Sequence, residues 1–154
     1  MCWQKLYNPM VSWLLRSPLH HLMSSSTMLI SFVGRKSGRT YTTPVNYVWD
    51  DHTLLAVSPR NRLWWRNLRG SAPVTVRVRG QTLKGVGQVF EGEEAVKEGG
   101  FLTVLRKVPA YRRYWDVELD ENDQPEDPHD LFQVAQDNAL IRIGNLISCR
   151  EVRR

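Results

Sequence analysis

The chain has 154 residues, 42% hydrophobic and 24% charged, enough for one domain with its own core and far from disordered, collagen-like or coiled-coil compositions. Its formal net charge of +5 hides an asymmetry: residues 1–90 carry 12 Lys and Arg against Asp50 and Asp51 alone, a balance of +10, while residues 91–154 stand at −5. An anionic partner is therefore expected to meet the first part of the chain. Cys2 and Cys149 lie near opposite ends and match neither a disulfide framework nor a zinc-ligand spacing, so a reducing, cytoplasmic setting is expected.

In chain order, Pro9 opens an apolar periodic stretch in which Val11, Leu14, Leu15, Leu19 and Leu22 recur at helical spacing until Ser24–Ser26. Arg16, Pro18, His20 and His21 interrupt it, so it reads as an amphipathic helix over residues 1–24, a candidate for peripheral membrane contact but not a membrane span. Strand patterns follow at Met28 to Val33, Tyr41 to Trp49 and Thr53 to Val57, with a helical turn at Leu63 to Leu68. Two more strands, Val74 to Val78 and Thr82 to Phe90, meet at Gly80.

Glu91, Glu93 and Glu94 favour a helix start, and Ala95 to Val108 continues it, weakened by Gly99-Gly100. Eight acids, two prolines and no Lys or Arg make Asp116 to Asp130 an expected exposed loop. Ala139 to Ile143 supplies a last strand. The fold class is thus mainly β with flanking helices: a single antiparallel β-barrel domain over residues 25–145, followed by a basic tail at 146–154.

Three clusters are candidates for chemistry. Gly34-Arg35-Lys36-Ser37-Gly38-Arg39 places three cations and a hydroxyl between glycines at a strand-to-strand turn. It reads either as an exposed basic hairpin turn or as a phosphate cradle, with backbone N–H groups forming a nest and the cations adding charge-assisted bonds. Second, Trp64 and Trp65 sit among Arg60, Arg62, Arg66 and Arg69. At least one indole is expected in the core, while arginines beside indoles also suit flat anionic ligands. Third, Tyr111 and Tyr114 lie at i, i+3, hence on one face of a helix, where they either pack or offer phenols to a planar substrate. The histidines lack ligand spacing, no metal site is expected, and no nucleophile motif is present, so the chemistry is expected to be a cofactor's.

Taken together, Gly34-Arg35-Lys36-Ser37-Gly38, Thr42-Thr43-Pro44-Val45, Ser58 after an apolar strand, and Trp64-Trp65-Arg66-Asn67-Leu68 before Val74-Thr75-Val76 resemble the deazaflavin-dependent nitroreductase and quinone reductase family. The resemblance implies a split β-barrel of the FMN-binding type and hydride transfer from reduced coenzyme F-420 to a planar, electron-poor acceptor such as a quinone or nitroaromatic. It implies Arg35, Lys36 and Ser37 on the cofactor phosphate and acidic tail, and Thr43, Pro44 and Val45 as backbone contacts to the ring. It further implies Trp64 and Asn67 beside the ring and ribityl region, Ser58 near the reacting face, and Tyr111 and Tyr114 over the substrate.

Where that family often has Lys-Gly-Gly after the serine, this chain has Pro59-Arg60-Asn61, with Arg60 preserving the charge. Rival readings are an FMN enzyme on the same barrel, and a basic barrel that stacks single-stranded nucleic acid on Trp64 or Trp65 without catalysis. A discrete cofactor and a small acceptor are the expected partners, on a monomer or homodimer.

Overall fold

A computed structural model describes residues 26–149. The expected N-terminal helix and the end of the basic tail lie outside the described residues. Six strands, β1 (Thr27–Val33), β2 (Thr40–Asp50), β3 (Thr53–Pro59), β4 (Ala72–Val78), β5 (Gln81–Phe90) and β6 (Asn138–Ser148), close in the order β1-β2-β3-β6-β5-β4. Every described strand pairing is antiparallel. Alternation dictates two cores. Met28, Ile30, Phe32, Leu54, Ala56, Val74, Val76 and Val78 fill the interior, and Leu55 and Leu140 face outward onto a helical layer.

The barrel is split. β2 pairs with β1 along Thr40 to Asn46 but meets β3 only from Tyr47 to Asp50, because β3 turns away to pair with β6 through Ser58↔Ala139 and Pro59↔Asn138. One edge of β2 ahead of Tyr47 therefore has no strand beside it among the described residues.

The helical layer comprises α1 (Gly92–Glu98), α2 (Gly100–Lys107), α3 (Ala110–Trp115) and α4 (His129–Asp137). The single helix expected through Gly99-Gly100 is two: Gly99, at φ 89°, adopts the left-handed conformation that ends α1. A side chain at Gly100 would come within 2.6 Å of Leu140, so this glycine also allows α2 to pack onto β6. The acidic segment is more ordered than a plain loop. Asp120 Oδ1 accepts the N–H groups of Asn122 and Gln124, and Leu119 bridges to Pro125. Beyond Pro128, Leu131, Val134 and Ala135 bury the face of α4, a helix the composition concealed.

The final strand runs on to Ser148, past the expected end at Ile143 and into the segment assigned to the tail. Cys149 is disulfide-bonded, against the expectation of a chain without such bonds, and the inference of a reducing compartment loses that ground. Among the described residues no helix is long and apolar enough to cross a membrane.

Candidate active site

The split opens into a cleft of about 800 Å³ between the outer wall of β2 and β3 and helices α2 and α3. Pro44, Val45 and Val57 supply its barrel wall, Val104 and Val108 its helical wall, and Tyr111, Tyr114 and Trp115 an aromatic side. These three rings form one cluster, with Tyr111 centred 4.7 Å from Trp115 at a tilt and 6.4 Å from Tyr114 edge to face. Tyr111 is partly shielded, whereas Tyr114 is 74% exposed at the rim. Such a slot accepts a flat conjugated ring.

The Gly34–Arg39 turn lies at the other end of β2's unpaired edge. At about 3.3 Å per residue, Arg39 and Pro44 are roughly 17 Å apart along the strand. Within the turn, Gly34 N–H donates to Arg39 O at 2.7 Å, Gly38 N–H to Gly34 O at 2.9 Å, Arg39 N–H to Ser37 Oγ at 3.2 Å and Arg35 N–H to Asn67 Oδ1 at 3.0 Å. The expected backbone nest is thus largely occupied from within. Anion-binding capacity rests instead on the side chains of Arg35, Lys36 and Arg39, all exposed and none in an ion pair among the described residues. Ser37 Oγ also shares a 3.0 Å hydrogen bond with Tyr41 Oη. Gly34 is required because a Cβ there would lie 2.6 Å from the Tyr41 ring.

A short 3-10 helix, Trp64–Leu68, braces this turn. Asn67 is the link: its Oδ1 takes the Arg35 N–H, and its Nδ2 donates to Trp64 O at 3.0 Å. Trp64 packs against Phe32 and donates its indole N–H to Ser58 Oγ at 3.1 Å. Ser58 is 1% exposed and spends its own proton on Pro59 O at 3.2 Å, so its hydroxyl lies within the barrel and does not line the cleft. Neither Trp64 nor Asn67 lines the cleft either. Thr43 meets it indirectly, accepting a hydrogen bond from Arg62 Nη2 at 3.3 Å.

Arg60, expected to keep the charge of a family lysine, is committed elsewhere. Its guanidinium pairs with Glu91 at 2.8 Å, as does that of Arg69. The hydrogen bond from Arg69, ahead of the charges of Arg69 and Arg60, holds the Glu91 carboxyl below its usual range against the opposing effect of burial, so it is ionised at neutral pH. Arg60, Arg66 and Arg69 cover the Trp65 ring at 5.8, 5.6 and 5.0 Å from its centre. With Trp65 wholly buried and Trp64 at 9% exposure, neither indole is open for a nucleic-acid base to stack on. Sequence reasoning missed Arg62 and Asn138 in the cleft lining. Nothing in the local pattern separates Arg62 from Arg60, and Asn138 sits at the end of the unforeseen α4.

The described residues thus form a six-stranded split barrel with a ring-sized slot and, in the turn before β2, cations without an ion pair among the described residues. Residues 17–117 match the family model described as F-420H(2)-dependent quinone reductase, and the chain belongs to that family. Among solved structures, it is similar to an F420-H2 Dependent Reductase (FDR-A) at 17% identity and TM-score 0.51, over 78% of this chain and 95% of that one. A structure described as a domain-swapped dimer is similar at 16% identity and TM-score 0.53, over 89% of this chain and 100% of that one. The haem storage protein of Vibrio cholerae shares the fold at 12% identity and TM-score 0.50, over 87% and 94% of the two chains. No curated protein matches the chain in sequence. The protein is accordingly an oxidoreductase that uses coenzyme F-420.

Proposed function

We propose that the enzyme transfers hydride to a planar, electron-poor acceptor, a quinone or a related conjugated ring such as a nitroaromatic, within the cleft. The observation that supports this most is the continuity, among the described residues, of the aromatic slot, the unpaired edge of β2 and, in the turn before it, cations without an ion pair. The residues fit a ring joined through a linker to a phosphate. Arg35 and Lys36 hold the phosphate and acidic tail, helped by Ser37, while the β2 backbone at Thr43, Pro44 and Val45 contacts the ring. When bound, reduced F-420 supplies the hydride. The apolar walls exclude water and orient the two rings, which is the protein's main contribution to such chemistry. Asn67, Trp64 and Ser58 act as positioning residues, each fixing the next through the hydrogen bonds above.

Tyr111 and Tyr114 take the remaining role. Hydride delivery to a quinone leaves an oxyanion, to which a phenol at the cleft donates a hydrogen bond or a proton. That contact strengthens as charge develops, so its loss lowers kcat more than it raises KM. Tyr111→Phe or Tyr114→Phe is expected to keep cofactor affinity and reduce turnover of a quinone about ten-fold or more. Steady-state oxidation of reduced F-420 by menadione, read beside melting temperatures, tests this. Wild-type turnover in both variants would confine the tyrosines to packing, and no acceptor-dependent oxidation by the wild-type enzyme would refute the quinone reading.

A further inference from the structure

The cleft carries an asymmetry that quinone reduction alone does not require. Among its described lining residues there is no Asp or Glu, and Arg62 is the single charged side chain. Arg62 is exposed at the mouth, and among the described residues its guanidinium donates to the neutral Thr43 hydroxyl and pairs with no carboxylate. Several other arginines have acid partners: Arg60 and Arg69 share Glu91, Arg112 faces Asp123, and Arg142 joins Asp50 to Glu98. A planar fork of donors that has no acid of its own and stands beside an apolar, aromatic slot is suited to a carboxylate or sulfonate carried on a flat ring.

We infer that Arg62 makes the cleft selective for planar acceptors that bear an anionic substituent, with the ring against Tyr111 and Trp115 and the anion on the guanidinium. This rests on the reading of the cleft as the acceptor site. The cofactor's anionic groups have their own candidates in Arg35 and Lys36, in the turn before β2 and roughly 17 Å or more along the chain from the slot at Pro44, which leaves Arg62 for the acceptor. Water is displaced when the ring occupies the slot, so the charge-assisted bond counts for more there than at an open surface.

The test compares 2-naphthoate with its uncharged analogue 2-naphthamide, titrated calorimetrically into the full-length protein with and without saturating oxidised F-420. F-420 affinity is followed separately by its own fluorescence. The wild-type protein is expected to bind the carboxylate about ten-fold or more tightly than the amide, Arg62→Gln to equalise the two, and Arg62→Lys to restore part of the preference. Equal wild-type affinities, no binding of naphthoate, or a preference that survives Arg62→Gln would overturn the inference. So would an equal loss of F-420 affinity in Arg62→Gln, since the cation would then serve the cofactor. Failure of F-420 to bind, with the naphthoate preference intact, would instead count against the cofactor's placement and leave Arg62's selectivity standing.

Discussion

Trp65→Ala is expected to lower stability by about 3 to 5 kcal/mol, the usual range for removing a fully buried aromatic side chain. Trp65 is 0% exposed, in the interior core, beneath Arg60, Arg66 and Arg69. Burying an indole removes on the order of 200 Å² from water, worth about 5 kcal/mol by area. Truncation also strips the surface on which three guanidinium groups rest, two of which hold Glu91 at the start of α1. For a domain of this size the melting temperature is expected to fall by about 10 °C or more. Trp65→Phe is expected to cost distinctly less, because the Trp65 indole N–H has no hydrogen-bond partner among the described residues and its removal relieves an unsatisfied donor. Thermal denaturation of both variants checks this. An unchanged melting temperature for Trp65→Ala would contradict the assignment of Trp65 to the core.

Lys36→Ala is expected to weaken F-420 binding roughly ten- to hundred-fold, the equivalent of one charge-assisted contact of about 1.5 to 3 kcal/mol. With the Gly34, Arg35, Gly38 and Arg39 N–H groups bonded internally, side-chain cations are what the turn offers an anion. Among the described residues the Lys36 side chain has no hydrogen bond or ion pair that would be lost on truncation, so the melting temperature of this variant should stay at the wild-type value. Asn67→Ala separates the two effects. It leaves every cation in place but frees the Arg35 N–H and the Trp64 carbonyl, so it should weaken binding through loss of alignment while also lowering stability. Fluorescence titration of both variants checks these expectations, and unchanged affinity in Lys36→Ala would remove the turn from the cofactor site.

Much of the barrel was legible because strand alternation and glycine turns are local signals. The Val74 to Val78 alternation and the Gly34–Gly38 turn stand in the structure where the sequence pattern puts them. What was hidden depends on distant partners. Arg60 and Arg62 are equivalent by sequence, and only Glu91, 31 residues beyond Arg60 in the chain, draws one away while leaving the other in the cleft. Ser58 likewise looks available until Trp64 folds back and claims its oxygen. Helix α4 was obscured because acids and prolines dominate the window before Leu131, Val134 and Ala135 supply an apolar face. The splitting of β2 from β3, which creates the cleft, follows from β3's pairing with β6, a contact spanning most of the barrel sequence.

The most direct measurement is a fluorescence titration of the full-length protein with coenzyme F-420 and, side by side, with the same deazaflavin lacking its phosphate-bearing tail, each in wild-type and Lys36→Ala protein. Ring binding in the cleft and tail binding at the turn predict that F-420 binds the wild type at least ten-fold more tightly than the tail-less ring, and that Lys36→Ala narrows this gap without affecting the ring alone. Equal affinities for the two ligands in the wild type, or a Lys36→Ala variant that still prefers F-420 to the same degree, would contradict the placement of cofactor along β2.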